Sequence, residues 1–304
     1  MKSHEGVGDT RLNLVEGWFA EHGWEPFGFQ RAAWAAYLDG ESGLIHAGTG
    51  TGKTLAAFLG PVAEYQAAPS SPESKTEPLT VIWLTPLRAL AADTERSLLA
   101  PVEAMGLPWR VERRTGDTSQ SVRKRQQKNL PTVLITTPES LSLLLTHSWF
   151  SEQCQTLKAV VVDEWHELIG SKRGVMTELC LARLRQWRPS LKTWGLSATL
   201  GNLGEAMSVL LGSGHASGRM IEGEVPKDIL IDTLAPANPG RFPYAGHLGM
   251  ALVPQVIDAI ESAKSTLLFT NTRRASETWF RALLEAKPEW AGQIAVHHGS
   301  LARA

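Results

Sequence analysis

The chain has 304 residues, 43% of them hydrophobic, with 30 basic and 31 acidic side chains and a formal charge of −1. That length suits two ordinary domains, and the balanced charge neither demands nor excludes a polyanionic partner, whose surface would have to be local. Cys154 and Cys180 are far apart and fit no metal or redox spacing, and the N-terminus lacks the apolar core of a signal peptide. With no apolar run of membrane-spanning length, the expectation is a soluble cytoplasmic protein with no membrane partner.

Short apolar or β-branched runs alternate with longer amphipathic segments. In chain order, strands are predicted at Leu44–His46, Val81–Leu84, Val133–Thr136, Ala159–Val162, Thr193–Leu196, Ile229–Thr233, Thr266–Phe269 and Ile294–Val296. Helical patterns cover Thr54–Gln66, Arg88–Met105, Met176–Trp187, Gly249–Ser262 and Arg274–Glu285. This alternation predicts an α/β fold with a parallel sheet of βαβ units. Residues 67–78 and 212–218 read as surface loops, and 235–246 as a second soft region rich in proline. A domain boundary near residue 225 follows, giving parts 1–225 and 226–304.

The first strand runs into AGTGTGKTLAAF, residues 47–58. Across Gly48, Thr49, Gly50, Thr51 and Gly52 the backbone can curl with its N–H groups facing inward, an anion cradle at a helix start. Lys53 can reach the β and γ phosphates of a nucleotide, and the Thr54 hydroxyl can hold Mg²⁺. The pattern is that of a P-loop with Ala47 in place of its first glycine.

A second signal is AVVVDEWHELIG, residues 159–170, where a strand suited to the core ends in two carboxylates. Such charges are costly to bury unless paired or metal-bound. Asp163 is expected at the carboxyl end of a strand neighbouring the P-loop strand, holding Mg²⁺ through water. Glu164 is expected to orient and deprotonate the water that attacks the γ-phosphate. Lys53, Asp163 and Glu164 form the expected catalytic set, with Thr54 and Asp163 on the metal.

With DE-x-H at 163–166 the chain resembles the superfamily 2 DExH-box helicases, more narrowly the Lhr-like group, and within it the ligase-associated branch of bacterial DNA repair. Further motifs in order extend the resemblance over nearly the whole chain. FGFQ (27–30) resembles the Q-motif, which implies Gln30 as the reader of adenine and ATP as the nucleotide. Phe27 or Trp24 is a candidate to stack on the base, with core packing as the alternative for either ring. TPLRALAAD (85–93), RTGD (114–117) and TTPESL (136–141) resemble motif Ia, the short motif after it, and motif Ib. They imply that Pro86, Arg88, Gly116, Thr137 and Pro138 hold nucleic-acid phosphates without reading sequence.

SATLGN (197–202) resembles motif III, which implies that Ser197 and Thr199 bond to the Asp163–His166 region. His166 would then belong to a network coupling nucleotide state to the nucleic-acid face. Lys172 and Arg173 in GSKRG (170–174) either touch a strand backbone or belong to a solvated loop. The basic stretch 122–128 reads as the solvent face of a helix, with nucleic-acid contact as the alternative, and Trp165 as packing behind the DExH motif.

The resemblance implies a RecA-like P-loop NTPase domain followed by an incomplete second RecA-like domain. STLLFTNTRRASETWF (265–280) resembles motif IV, and AVHHGSLARA (295–304) the strand and turn that come next. Motifs V and VI, with their arginines, have no counterpart. The expectation is the N-terminal part of an ATP-dependent 3′→5′ DNA helicase or translocase of DNA repair, able to bind ATP–Mg²⁺ but slow to hydrolyse it alone. Single-stranded or tailed duplex DNA is the expected partner, with a DNA ligase and a nuclease as functional associates. An RNA or RNA–DNA hybrid helicase is the alternative within the enzyme class, and a non-catalytic nucleic-acid-binding module the alternative outside it.

Overall fold

The computed structural model describes residues 10–67, 77–212, 218–223, 230–234 and 248–298. Most of the predicted loops at 67–78 and 212–218, and all of the soft region 235–246, lie outside the described residues. The chain divides into two compact units, Met1–Pro226 and Lys227–Ala304. No described helix is long and apolar enough to cross a membrane.

The first unit is built on a seven-stranded sheet in which every pairing is parallel. Its strands are β1 (Gly43–Ala47), β2 (Val81–Leu84), β3 (Val111–Arg114), β4 (Val133–Thr136), β5 (Ala159–Val162), β6 (Lys192–Ser197) and β7 (Arg219–Gly223). Across the sheet they run β3-β4-β2-β5-β6-β1-β7. Among the described residues ten α-helices accompany them: α1 (Asn13–Glu21), α2 (Gly28–Leu38), α3 (Lys53–Ala67), α4 (Arg88–Ala104), α5 (Gln120–Lys128), α6 (Pro138–Leu144), α7 (Ser148–Gln153), α8 (Trp165–Leu168), α9 (Lys172–Trp187) and α10 (Leu203–Leu211).

Successive strand residues point to opposite faces, and both faces here are covered. Val81 and Trp83 of β2 join Ala159 and Val161 of β5 in a core with Trp34 of α2, Phe58 of α3 and Leu98 of α4. Ile82, Leu84, Val160 and Val162 enter a second core with Leu141 of α6, Phe150 of α7, Leu181 of α9 and Leu210 of α10. A strand buried on both sides favours apolar residues at every position, which is why β2 and β5 read as unbroken apolar runs.

The sequence pattern predicts neither β3 nor β7. Both are edge strands with one neighbour each. Their sequences, VERR and RMIEG, mix buried with half-buried or exposed positions and so make no apolar run. Another correction concerns GSKRG: α9 starts at Lys172 and is capped by Ser171, whose side chain accepts from the Gly174 N–H at 3.1 Å. Lys172 and Arg173 therefore sit in a first helical turn and not in a loop.

In the second unit, α11 (Val253–Glu261) and α12 (Arg273–Ala286) pack Val256 and Ile257 against Leu283, with Trp279 and Trp290 alongside. The strands predicted at Ile229–Thr233, Thr266–Phe269 and Ile294–Val296 do not form among the described residues; Ile229 itself lies outside them. Leu230, Leu267 and Phe269 are 91%, 81% and 86% exposed. An extended segment becomes a strand only when a neighbour takes up its N–H and C=O groups, and these segments have no ladder partner among the described residues. Amides of Leu267–Phe269 are accordingly expected to exchange hydrogen far faster than those of β2 and β5. Equal protection in a native-state exchange experiment would contradict this.

Candidate nucleotide site and nucleic-acid groove

Because all seven strands point the same way, every loop that follows a strand emerges on one edge of the sheet, where parallel sheets place their ligands. Strand order divides that edge in two. The ends of β1, β6 and β5 carry the P-loop, Ser197 and Asp163, whereas those of β2, β4 and β3 carry Pro86 and Arg88, Thr137, and Gly116.

On the first half, β1 ends at Ala47 and α3 begins at Lys53. Between them Gly50 and Gly52 have φ of 78° and 85°, left-handed values that a Cβ disfavours. A Cβ on Gly52 would also stand 2.7 Å from Nε2 of Gln30. That amide nitrogen donates to the Gly52 carbonyl at 3.1 Å, and Oε1 of Gln30 accepts from the Phe27 N–H at 2.9 Å. Gln30 is 2% exposed and splints the P-loop to the start of α2. One amide N–H and one lone pair are left over for the adenine contact implied by the sequence. Trp24 lies against Trp18 and His22, and Phe27 stacks on Phe29, with Trp24 and Phe27 both exposed.

The Thr51 hydroxyl donates to the Gly48 carbonyl at 2.7 Å, and Nζ of Lys53 to the Ala47 and Gly48 carbonyls at 2.6 and 2.9 Å. The ammonium thus rests on the rim of the loop, with half-buried Thr54 next to it in the first turn of α3.

The carboxylates do not come from the strand next to β1. β6 lies between β1 and β5, two strand spacings or about 10 Å across, so Ser197 stands between the P-loop and Asp163. The ladder carries on past β5, with the Asp163 N–H donating to the Leu84 carbonyl at 2.8 Å. Oδ2 of Asp163 accepts from the Trp83 indole at 3.2 Å, and Oδ1 from the Glu164 N–H at 3.0 Å. Burial, and then the charge of Glu164, push the Asp163 pKa up to about 6, against the pull of those two hydrogen bonds and of Lys53.

Glu164 has φ 46° and ψ 48°, the one non-glycine among the described residues with positive φ. That backbone costs roughly 1–3 kcal/mol and persists only where its surroundings enforce it. Its Oε2 is buried and accepts no hydrogen bond among the described residues. The same atom lies 3.5 Å from Nδ1 of His166, which in turn is 3.5 Å from Oγ of Ser197. Thr199 is exposed and is not drawn into this cluster. Trp165 packs behind it, fully buried, with its indole donating to the Ala206 carbonyl at 2.9 Å.

These donors fit a magnesium ion. They are oxygens, each Asp163 oxygen keeps a lone pair, and Glu164 offers a buried oxygen that accepts no hydrogen bond among the described residues. No group of three or more His, Cys, Asp or Glu that could hold a metal occurs among the described residues. Mg²⁺ is usually held by one or two carboxylates together with substrate phosphates and water, which this half of the edge suits.

The second half is a cleft of about 620 Å³ lined by Pro86, Arg88, Gly116 and Thr137 together with Arg114, Arg123 and Arg173. Four of the five residues expected to hold phosphates meet there; Pro138 is buried in the first turn of α6 and does not line it. Thr137 caps α6 by accepting from the Ser140 N–H at 3.4 Å, so it has a structural task as well. Arg88 pairs with Asp117 at 3.0 Å and Arg173 with Glu139 at 2.5 Å. Burial alone would raise the Glu139 pKa, but hydrogen bonds from Arg173, its own backbone and Thr137 bring it below the usual value.

Arg123 donates to the Thr115 and Gly116 carbonyls at 3.0 and 2.8 Å, and so belongs to the groove; Arg125 of the same basic stretch pairs with Glu112 instead. Burial and the neighbouring Arg123 lower the Arg114 pKa. Sequence reasoning did not single out Arg114, and held Arg123 only within a basic stretch for which nucleic-acid contact was the alternative. The signal for Arg114 was its place at the head of RTGD. Four arginines against Glu139 in the lining and Asp117 beside Arg88 make a local positive surface on a chain of nearly zero net charge.

Residues 27–206 match the DEAD/DEAH box helicase family. The ATP-dependent helicase Lhr-Core of Methanothermobacter thermautotrophicus is 36% identical over 278 residues, an alignment covering 87% of this chain and 32% of that protein. The Lhr helicase/probable uracil glycosylase of Mycolicibacterium smegmatis is 33% identical over 92% of this chain and 19% of its own length. A structure of Mycobacterium smegmatis helicase Lhr bound to ssDNA and AMP-PNP superposes with a TM-score of 0.74 at 32% identity, covering 97% of this chain and 39% of that one. The chain thus spans a third or less of the length of these curated relatives.

The raised Asp163 pKa has a consequence for the chain free of nucleotide and metal. At low pH the group is protonated in both folded and unfolded states and contributes nothing. As pH rises from the ordinary value of 3.8 through about 6, the unfolded chain ionises first, and stability falls by about 1–3 kcal/mol. Asp163→Asn is expected to remove that fall, read as the difference between denaturation curves at pH 4 and pH 7. The same pH dependence in both proteins would rule it out.

Proposed function

The chain belongs to the DEAD/DEAH box helicase family, and from that premise we propose that it binds ATP–Mg²⁺ on one half of its sheet edge and a nucleic-acid strand on the other. Hydrolysis at the first site drives movement along the strand at the second. The observation that carries this reading is the partition of the edge: β1, β6 and β5 present an anion cradle and carboxylates, β2, β4 and β3 an arginine-lined groove.

In this reading the P-loop N–H groups and Lys53 hold the β and γ phosphates, and Gln30 keeps the loop in its curled form. Thr54 and Asp163 hold the magnesium ion, which when bound neutralises charge on the phosphate oxygens. Glu164 orients the attacking water and takes its proton on Oε2, which accepts no hydrogen bond among the described residues. His166 adjoins that oxygen and links it to Ser197 on β6, the strand between the P-loop and Asp163. In the groove, Arg88, Arg114, Arg123 and Arg173 with the backbone around Gly116 and Thr137 hold phosphates and leave the bases unread.

We further propose single-stranded or tailed duplex DNA as the strand, 3′→5′ as the direction, and DNA repair alongside a ligase and a nuclease as the setting. The single-stranded DNA and AMP-PNP in the helicase Lhr structure support the choice of ligands. Turnover by these 304 residues alone is proposed to be slow. Charge on the transferring phosphoryl group calls for cations beyond Lys53, and the arginines that the first unit brings to this edge line the groove instead. The test is ATP hydrolysis with and without a single-stranded oligonucleotide, DNA against RNA of equal sequence, with Lys53→Ala beside the wild type. A low rate raised by DNA and abolished by Lys53→Ala is expected. Equal rates in wild type and Lys53→Ala would overturn the assignment.

A further inference from the structure

We propose that Trp83 is a positioning residue for the metal: its indole N–H fixes the orientation of the Asp163 carboxylate and so sets how tightly magnesium is held with the nucleotide. This deepens the nucleotide reading above and rests on it. Trp83 sits in the middle of β2 and is fully buried. Its Cα is in register with Val161 of β5, and both side chains belong to the same core. Asp163, two residues on, keeps the parity of Val161, which brings its carboxylate over the indole. Hence the 3.2 Å hydrogen bond from Nε1 to Oδ2.

The geometry leaves the carboxylate little freedom. Oδ1 is held by the Glu164 N–H and Oδ2 by the indole, so a donor sits at each end of the group and its plane is fixed. An indole nitrogen is a donor only, carries no charge and cannot accept. It therefore orients the carboxylate without competing for the metal or admitting water. Groups that orient metal ligands in this way typically change metal affinity by about 10- to 100-fold when removed. Trp83 also lies at the seam of the edge: β5 and the carboxylates are on one side, and β2 continues into Pro86 and Arg88 of the groove.

The other buried tryptophan of this core face that serves as a control is Trp194 on β6, whose indole nitrogen has no hydrogen-bond partner among the described residues. Trp194→Phe removes similar packing without touching Asp163. The experiment is AMP-PNP binding to the 304-residue chain by calorimetry, in EDTA and in Mg²⁺, for the wild type, Trp83→Phe and Trp194→Phe.

Trp83→Phe is expected to match the wild type in EDTA and to lose about 10-fold of the magnesium-dependent gain, whereas Trp194→Phe keeps that gain. An unchanged gain in Trp83→Phe, or equal losses in both variants, overturns the inference. A wild type with no magnesium-dependent gain would instead overturn the nucleotide reading itself. Should Trp83→Phe not fold, the wild type still decides. Its Trp83 indole resonance, assigned through the backbone, is expected to shift when Mg²⁺ is added to the AMP-PNP complex, and an unmoved resonance would refute the role.

Discussion

The structure depends on one constraint: seven strands that all run in the same direction, buried on both faces. Helices over each face make the sheet core on both sides, and the parallel arrangement brings every strand end to the same edge. The chemistry then follows from strand order alone. Residues scattered from Lys53 to Ser197 become neighbours because β1, β6 and β5 are neighbours or next neighbours. Residues from Pro86 to Thr137 converge for the same reason on the other three strands.

Within that frame the site relies on a few contacts that oppose local preference. The Gln30 amide, tied to Gly52 and Phe27, holds a loop whose glycines adopt left-handed backbone. Glu164 adopts such backbone without being glycine, next to a carboxylate whose burial disfavours its charge. Strained and partly unsatisfied groups of this kind collect where a ligand completes them. Glu164 keeps a buried oxygen that accepts no hydrogen bond among the described residues, and Asp163 keeps a lone pair on each oxygen. By contrast the groove arginines are already paired, two with exposed or half-exposed carboxylates. Surface pairs of that type contribute about 0–1 kcal/mol each, so exchanging a carboxylate for a phosphate costs little.

Legibility in the sequence followed burial. The central strands β2, β4 and β5 are buried throughout and were read to the residue, and the turn between β1 and α3 was legible because Gly50 and Gly52 take left-handed backbone. β3 and β7 were illegible because an edge strand needs only one buried position in two. The strands foreseen in the second unit failed for the converse reason, since apolar runs such as Leu267–Phe269 need a partner that patterning does not supply. At the site, motif order brought Arg88, Gly116 and Thr137 to one groove. The sequence did not show β6 between the P-loop strand and Asp163. Nor did it single out Trp83, which looks like any core aromatic until its hydrogen bond to Asp163 is seen.

The proposed function requires one sheet edge to carry two separable sites. Its most direct test is a double dissociation on the wild type, Lys53→Ala and Arg88→Ala, measuring AMP-PNP–Mg²⁺ binding by calorimetry and single-stranded DNA binding by anisotropy over a range of salt. Lys53→Ala is expected to lose nucleotide and retain DNA. Arg88→Ala should retain nucleotide and weaken DNA, with a salt slope reduced by about one. A single variant that abolishes both ligands in a folded protein, or an Arg88→Ala that leaves DNA affinity and its salt slope unchanged, would contradict it.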